Sequence, residues 1–322
     1  MKKVTISVLT ILLVAVILAV PAFAADTLIP VGQTVGLALD TRGLTVTELD
    51  EQLGQNARTA GLRPGDTIIK ADGQGIETAE QLQALVERCR KAVVLTVVRG
   101  DEEVNLTVEP VNAEGRQRLG IFVRQGITGI GTVTYYDPNS GAFGVLGHGV
   151  SGAGGDLLAL KEGQALDAEV TTIRKGKVGT PGQLQGEFRT ETVLGNLDRN
   201  TSCGVFGTTG TGWTGIPLPV AENEDVHTGE AMILSDLAGG AVEQYAIEIT
   251  KVYPQQNTPG RNLLLRVTDE ALLEQTGGIV QGMSGSPIIQ DGKLVGAVTH
   301  VLVNDPTTGY GIFIENMLDA AA

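Results

Sequence analysis

From Leu119 to the C-terminus, the sequence repeats one pattern, a short apolar run followed by a glycine-rich turn. Such runs include GIGTVTYYD, AFGVLGHGV, TSCGVFGTTG, AVEQYAIEITKVY, NLLLRVTD and KLVGAVTHVLV. Many short strands at close spacing, with almost no helical periodicity, indicate a β-barrel or a pair of barrels. The 44 glycines and the 4% aromatic content agree with strands joined by tight turns. The sequence therefore predicts a mainly β fold.

Composition limits the partners of this chain. Its 322 residues are enough for two ordinary domains, and 42% hydrophobic with 19% charged residues is typical of a globular protein. The 37 acidic and 23 basic side chains give a net charge of −14. Because an acidic surface repels phosphate backbones, we expect no nucleic-acid partner.

The N-terminus has the pattern of an export signal. Lys2 and Lys3 precede an apolar run from Val4 to Val20, which the small-residue stretch PAFAA follows. A charged start, a hydrophobic stretch and an A-x-A site are typical of a signal peptide. The run is slightly short for a membrane span of ~20 residues. We predict a signal peptide at residues 1–24, with an uncleaved membrane anchor as the alternative, and hence an exported protein.

The next segment, residues 25–110, reads as a small α+β unit. Asp72-Gly73 is typical of a hairpin turn between short strands. Thr78 and Gln81 form a capping box at the start of a helix whose apolar positions begin at Leu82. Residues 111–118 are polar and are predicted to be a linker.

Within this unit, the stretch AGLRPGDTIIKADGQGIET resembles the PDZ domains of bacterial exported proteases. PDZ domains hold an extended peptide as an added strand. The resemblance places the peptide groove between the strand at residues 44–49 and the helix at residues 79–88, with Leu44, Val46 and Leu82 in the groove. A spacer that binds nothing is the alternative.

A candidate nucleophile, Ser284, lies in the loop GMSGSP. A serine hydroxyl attacks a carbonyl only when a base takes its proton and donors hold the oxyanion. Gly282 and Gly285 allow a tight turn that leaves the amides of Gly282 and Ser284 free to bind that oxyanion. The pattern Gly-x-Ser-Gly-x-Pro is that of trypsin-like serine peptidases, with Ser286 where glycine is commoner. A glycine-serine hairpin loop is the structural alternative.

The three histidines have different settings. His148 lies between glycines at the end of an apolar strand, where an imidazole can project into a cleft. His227 is surrounded by acids and indicates a solvated loop, and we expect His300 to have a structural packing role. His148 is therefore the predicted base. The histidines and the two cysteines form no cluster with metal-ligand spacing, so we expect no metal and no cofactor.

A triad needs an acid to orient the base. Asp269 ends the run NLLLRVTD and precedes Ser284 by 15 residues, so adjacent strand ends could bring both to one cleft. Periodicity does not choose among the four candidate acids, which are Asp156, Asp167, Asp198 and Asp269. Asp269 is preferred for its position, and Asp198 is the second choice.

The order of GHGVS, GNLDRNTSCGVFG and the C-terminal block beginning VTDEALLEQTGGIVQGMSGSP resembles the stage IV sporulation protein B family of serine peptidases. The resemblance runs from about Leu28 to the end. It implies a catalytic histidine at His148, a nucleophile at Ser284 and an acid at Asp269. It also implies a PDZ domain at residues 25–110 followed by a trypsin-like β-barrel peptidase domain at residues 119–322.

The resemblance further implies a role in endospore formation. In that family the peptidase is exported into the space between the forespore membranes. It cleaves itself and the external part of a membrane-bound regulatory protein, which leads to activation of a late sigma factor by an intramembrane protease. Two other hypotheses stay open: a general exported quality-control protease, and a peptide-binding PDZ scaffold with an inactive peptidase fold.

Overall fold

The computed structural model describes residues 27–322, except residues 42, 90, 101, 153–154, 238–240 and 255–258. The predicted signal peptide at residues 1–24 therefore lies outside the described residues. No helix in the described part of the chain is long and apolar enough to cross a membrane. The chain is mainly β, as the sequence predicts, with two barrels and a smaller α+β unit.

The smaller unit is an antiparallel sheet that two helices accompany. It follows β1 (Thr27–Pro30) and β2 (Thr34–Thr41) in the chain. Its strands and helices are β3 (Leu44–Leu49), α1 (Gln55–Thr59), β4 (Thr67–Ala71), β5 (Gln74–Gly75), α2 (Ala79–Arg88), β6 (Val93–Arg99), β7 (Glu102–Val108), β8 (Val111–Ala113), β9 (Arg116–Arg118) and β10 (Ile121–Arg124). The strand order is β10-β3-β4-β6-β7, with β5 beside β4.

The predicted start of α2 is confirmed. The Gln81 amide donates to the Thr78 hydroxyl at 3.2 Å, and the Thr78 amide donates to the Gln81 side chain at 3.3 Å. This reciprocal pairing satisfies donors that the first helical turn leaves without partners. Leu82 and Val86 of α2 are buried in the core of the unit, as their helical spacing predicts.

The limits of the smaller unit differ from the predicted ones, which were residues 25–110 for the unit and residues 111–118 for a linker after it. Strands β1 and β2 do not join its sheet; β2 pairs with later strands on both of its edges. Residues 111–118, predicted as a linker, form the β8–β9 hairpin, and β10 then adds to the edge of β3. Alternation of apolar residues identifies a strand but does not identify its partner, because every pleated strand alternates in the same way.

The first barrel contains β2 and the strands that follow the smaller unit. These are β11 (Ile127–Tyr136), β12 (Ala142–Val145), β13 (Leu160–Arg174), β14 (Gln183–Thr201) and β15 (Gly204–Thr208). Outside the ring, β1 pairs with β11, and β16 (Leu218–Pro219) pairs with β1. Strands run in the order β12-β15-β14-β13-β2-β11, and pairing of β11 with β12 closes the ring. Val133, Phe143 and Leu197 lie in its core.

The second barrel is also closed and has six strands. They are β17 (Gly229–Asp236), β18 (Val242–Val252), β19 (Leu263–Val267), β20 (Pro287–Gln290), β21 (Lys293–Leu302) and β22 (Asp305–Phe313), in the order β17-β18-β19-β22-β21-β20. Two helices belong to this part of the chain, α3 (Glu270–Thr276) and the C-terminal α4 (Ile314–Ala321), and a 3-10 turn spans Asn223–Asp225.

An apolar cluster joins the two barrels. Leu28 of β1 and Tyr135 of β11 pack with Ile312 of β22 and Met317 of α4. All four side chains are almost fully buried. The packing holds the end of β11 against the second barrel, and this contact positions the loop that contains Ser284.

Candidate active site

The loop from Gly282 to Ser286 connects α3 to β20 and turns sharply at two glycines. Gly282 has φ +104° and Gly285 has φ +97°, values that disfavour any residue with a Cβ. A Cβ on Gly285 would lie 2.0 Å from the Thr132 carbonyl oxygen and 2.6 Å from the Leu146 amide nitrogen. Because the backbone of the first barrel approaches so closely, only glycine fits there.

Two buried threonines of β11 hold this loop. The Thr132 hydroxyl donates to the Gly282 carbonyl at 2.8 Å, and the Thr132 amide donates to the Ser284 carbonyl at 2.9 Å. The Thr134 hydroxyl donates to the Gly285 carbonyl, also at 2.8 Å. Three carbonyls of the loop are thus tied to the other barrel. Sequence reasoning missed both threonines, although two threonines at alternate positions of the apolar strand GTVTYY are a visible signal.

The amides of Gly282 and Ser284 have no hydrogen-bond acceptor among the described residues. Neighbouring amides do have one: Met283 donates to the Val280 carbonyl at 3.1 Å, and Gly285 donates to the Val298 carbonyl at 2.7 Å. The two unpaired donors are those that the sequence analysis assigned to the oxyanion. Donors fixed in advance of the reaction are what an oxyanion hole requires.

Ser284 and His148 line the same cleft between the barrels, which has a volume of about 430 Å³. The Ser284 hydroxyl donates to the Thr299 carbonyl at 2.7 Å. Among the described residues, no hydrogen bond joins the Ser284 and His148 side chains. Rotation of the Ser284 hydroxyl away from Thr299 is therefore the step that would free it for a base.

A sharp backbone reversal places His148 in the cleft. Leu146 and Gly147, just after β12, have φ values of +72° and +66°. The His148 ring nitrogen Nδ1 lies 2.9 Å from the Gly149 carbonyl oxygen, so Nδ1–H donates to it. That bond assigns the proton to Nδ1 and leaves Nε2 as the basic nitrogen. Burial lowers the pKa of His148 below 6.5, and the bond to Gly149 partly offsets this effect.

Asn200 fixes the segment that follows His148. Its side-chain oxygen accepts from the Val150 amide at 2.9 Å, and its amide group donates to the carbonyls of Val150 at 2.8 Å and Leu158 at 2.9 Å. The three bonds use a side chain of β14 to position the loop after the imidazole. Sequence reasoning did not single out Asn200, because a lone asparagine in NLDRNTS is not distinguished from a turn residue.

His300 lies in the cleft beside His148, where the sequence analysis expected only a structural packing role. The ring centroids are 5.0 Å apart with an interplanar angle of 34°. Partial burial, the His148 ring and the Arg261 cation lower the pKa of His300 to about 4. Both imidazoles are therefore neutral at neutral pH. Thr299 and His300 are consecutive, so one short segment contacts both the Ser284 hydroxyl and the His148 ring.

The structure places Asp269 at the start of α3, and among the described residues no hydrogen bond joins it to His148. Asp269 is the N-cap of α3: one carboxylate oxygen accepts from the Leu272 amide at 2.9 Å and the other from the Ala246 amide at 3.2 Å. The order TDEALLEQT is typical of a capped helix start. The carbonyl of Gly149, and not a carboxylate, is the partner of the imidazole.

The other acidic candidates lie outside the cleft. Asp198 and Asp156 are exposed, and Asp167 forms an ion pair with Arg189 at 2.9 Å. His227 is exposed, as predicted, and its Nε2 lies 2.8 Å from Asp291. In the part of the chain that the structure describes, no three His, Cys, Asp or Glu side chains are placed to hold a metal ion.

The smaller unit has a groove one strand away from the place predicted for its peptide groove. Leu44 and Val46 are fully buried in the core, and β3 has a partner on each edge, β4 on one and β10 on the other. The groove runs instead between α2 and β10, has a volume of about 600 Å³, and is lined by residues that include Leu82 and Phe122. Of the three predicted groove residues, only Leu82 lines it.

Comparisons with known proteins agree with this architecture. The family model for SpoIVB peptidase S55 matches residues 115–318, and a PDZ domain model matches residues 50–100.

Curated relatives match over shorter segments. A putative zinc metalloprotease Atu1380 of Agrobacterium fabrum is 35% identical over 88 residues, which are 27% of this chain and 22% of that protein. A putative serine protease HhoA of Synechocystis is 41% identical over 58 residues, which are 17% of this chain and 15% of that protein. The chain thus spans less than a quarter of the length of these relatives. A crystal structure of the Rv3671c protease in an inactive form aligns over 60% of this chain and 82% of that chain, at 15% identity and a TM-score of 0.34.

The substitution Thr132→Val tests the tie between β11 and the Ser284 loop. It keeps the shape of the side chain but leaves the buried Gly282 carbonyl without its donor, so we expect the free energy of unfolding to fall by about 1–3 kcal/mol. Urea denaturation measures the change. The control is Thr107→Val at an exposed position of β7, for which we expect a change within about 0.5 kcal/mol. Equal stability of Thr132→Val and the parent protein would contradict the assigned bond.

The substitution Asp269→Ala tests the capping role. Loss of both acceptor oxygens should lower the free energy of unfolding by about 1 kcal/mol, whereas Asp269→Asn retains one acceptor and should lose less. Thermal unfolding ranks the two variants. A destabilisation that is the same for Ala and Asn, or absent from both, would argue against the cap.

Proposed function

Because the chain belongs to the SpoIVB peptidase S55 family, we propose that it is a serine endopeptidase with Ser284 as nucleophile and His148 as base. The observation that carries this proposal is the shared cleft. Ser284, His148 and the Gly282 amide all line one space between two barrels, where a peptide carbonyl can meet all three. Substrates are proteins or peptides, in keeping with a peptidase linked to a PDZ unit.

The geometry supports acyl transfer. The Ser284 hydroxyl leaves the Thr299 carbonyl, His148 Nε2 accepts its proton, and the oxygen attacks the scissile carbonyl. The amides of Gly282 and Ser284 hold the resulting oxyanion. His148 then donates the proton to the leaving amine, and a water molecule hydrolyses the acyl-enzyme by the same sequence.

The Gly149 carbonyl acts where a triad has a carboxylate. It fixes the tautomer of His148, so that Nε2 faces the reaction unprotonated. When the imidazole becomes charged, a carbonyl dipole supports it less strongly than a full negative charge would. Asp269 contributes indirectly in this proposal, because its cap holds α3, the helix that leads into the Ser284 loop.

We further propose the cellular role that the family resemblance implies. The protein is exported, acts in the space between the forespore membranes, and cleaves itself and the external part of a membrane-bound regulator upstream of a late sigma factor. The export pattern at residues 1–24 and the motif order from GHGVS to the C-terminal block support this role. An inactive PDZ scaffold is disfavoured by the shared cleft of Ser284 and His148.

The general quality-control alternative differs in its cleavage pattern. Incubation with unfolded casein distinguishes the two roles, since a quality-control protease cuts at many sites and a signalling peptidase at few. Expression of residues 26–322, followed by mass spectrometry of new N-termini, reports the self-cleavage sites in the same experiment.

The nucleophile assignment predicts the behaviour of Ser284→Ala. Labelling by a fluorophosphonate probe should disappear, and peptide turnover should fall by on the order of a millionfold, as in knockouts of the nucleophilic serine in triad peptidases. Ser286→Ala is the matched control, because Ser286 lies in the same loop, is buried and has a hydroxyl without a hydrogen-bond partner in the described structure. The Ser286→Ala variant should keep both probe labelling and peptide turnover. Self-cleavage that persists undiminished in Ser284→Ala would refute the assignment.

The lowered pKa of His148 predicts the pH dependence. A base with a pKa below 6.5 stays neutral to a lower pH than a free imidazole, so activity should persist through pH 6.5 and fall only as pH drops further. The acid limb of kcat/KM against pH gives the midpoint in the free enzyme. The limb should remain in His300→Asn, since His300 is not the proposed base. A midpoint above 6.5 would contradict the assigned environment.

A further inference from the structure

The turn that connects β13 to β14 carries a cluster of cations on a strongly acidic protein. Residues 174–182, here called the cationic turn, have the sequence RKGKVGTPG and contain three basic residues and no acid, whereas the whole chain has a net charge of −14. The three basic side chains are exposed, and in the described part of the chain none of them forms an ion pair. Unpaired positive charge that is concentrated in one place attracts anionic groups.

Backbone hydrogen bonds fix the cationic turn to the second barrel. The Gly176 amide donates to the Thr276 carbonyl at the end of α3, and the Gly179 amide donates to the Val303 carbonyl, both at 2.8 Å. A turn of the first barrel is thus held by two segments of the second. Because its backbone is fixed before any ligand arrives, less conformational entropy is lost when its side chains bind one.

The three cations differ in their own contacts. The Lys175 ammonium donates to the Glu274 carbonyl in the last turn of α3, where a cation also favours the helix dipole, so Lys175 has a structural role. Arg174 makes only two side-chain contacts, both at 3.5 Å, to oxygens of the same hairpin. The Lys177 side chain has no hydrogen bond among the described residues. Arg174 and Lys177 are therefore available to a ligand.

Two acidic residues lie on the segments that hold the cationic turn. One is Glu274 of α3, and the other is Asp305 at the start of β22. The Asp305 carboxylate accepts from the hydroxyls of Thr308 and Thr307, both at 2.7 Å, and these bonds lower its pKa. Neither acid forms an ion pair with the turn. The charge of the turn therefore has no bonded counter-ion among the described residues.

The cationic turn lies at one end of the cleft that contains Ser284. Pro181 of the turn and Val303, whose carbonyl holds the turn, both line this cleft. The Thr299 carbonyl accepts from the Ser284 hydroxyl, and Leu302, the last residue of β21, lies three residues further on, which is roughly 10 Å along an extended strand. An extended substrate covers that distance with three to four residues. Its next residues then leave the cleft beside the cationic turn.

We infer that the cationic turn recognises an acidic segment of the substrate: Arg174 and Lys177 bind aspartate or glutamate side chains three to six residues from the scissile bond, on the side that leaves the cleft past Val303. The inference rests on the proposed endopeptidase activity and adds a feature of its substrate. Exposed ion pairs are individually weak and are screened by salt, so the turn adjusts selectivity and is not needed for the chemistry.

An anionic lipid surface is the other partner that a cationic turn can bind. The position of the turn at the end of the cleft favours a peptide, because a substrate held at Ser284 already passes it. The turn also offers little apolar surface for insertion into a bilayer. Val178, which is 77% exposed, is its one aliphatic side chain apart from the proline.

The test is a set of internally quenched peptides that carry either two glutamates or two glutamines, placed three to six residues before or after the scissile bond. On one side of the bond, glutamate should give kcat/KM values at least about threefold above glutamine, and roughly 0.5 M NaCl should remove the difference. Every assay is paired with Ser284→Ala. Ser284-dependent cleavage with equal values for glutamate and glutamine would overturn the inference while leaving the proposed function intact. Absence of any Ser284-dependent cleavage would overturn both.

The variant Lys177→Glu tests the specific residue. Reversal of its charge should lower the glutamate-to-glutamine ratio of kcat/KM by about threefold or more, because an attraction becomes a repulsion. Lys70→Glu is the control, since it makes the same change of charge at an exposed position of β4 in the smaller unit. The control should keep the parent ratio. A folded Lys177→Glu with the parent ratio would overturn the role of Lys177, and the parent peptide profile tests the inference even if this variant does not fold.

Co-sedimentation with phosphatidylglycerol vesicles tests the lipid alternative. We expect Lys177→Glu and the parent protein to sediment with the vesicles to the same extent. Vesicle binding that Lys177→Glu abolishes, together with equal cleavage of the glutamate and glutamine peptides, would assign the turn to a lipid surface and overturn the inference.

Discussion

Three hydrogen bonds from β11 to the Ser284 loop are the interaction on which the site depends. Thr132 and Thr134 belong to the first barrel, whereas the carbonyls that they hold, those of Gly282, Ser284 and Gly285, belong to the second. Both threonines are fully buried, so a broken bond would leave a polar group without water. The same strand follows β10, the edge strand of the PDZ-like sheet, after two residues. The groove between α2 and β10 is thus linked to the nucleophile loop through β10, β11 and the three hydrogen bonds from β11.

The electrostatics of the cleft follow from burial and not from an acid. His148 and His300 pack together, no carboxylate of the described residues bonds to either ring, and desolvation favours the neutral form of each. The Gly149 carbonyl selects the tautomer and Asn200 holds the loop behind it.

Much of this arrangement could be predicted from sequence, because local rules act within short segments. The turn around Ser284 needs glycines, and the capping box at Thr78 needs two residues three positions apart. Asp269 caps α3 for a local reason, since its position before EALLEQT is typical of an N-cap. Long-range choices had no such signal. No spacing in the sequence encodes how the two barrels pack. That packing determines the strand partners of β2 and β10, the hydrogen bonds from Thr132 to the Ser284 loop, and the contact of His300 with His148.

The most direct test of the account is a crystal structure of the protein after reaction with diisopropyl fluorophosphate. The account predicts a phosphoryl group on the Ser284 oxygen, with one of its oxygens within hydrogen-bond distance of the Gly282 and Ser284 amides. The Thr132 and Thr134 bonds should be unchanged, and His148 should lie beside the modified oxygen. An unmodified Ser284, or a phosphoryl oxygen directed away from those two amides, would contradict it.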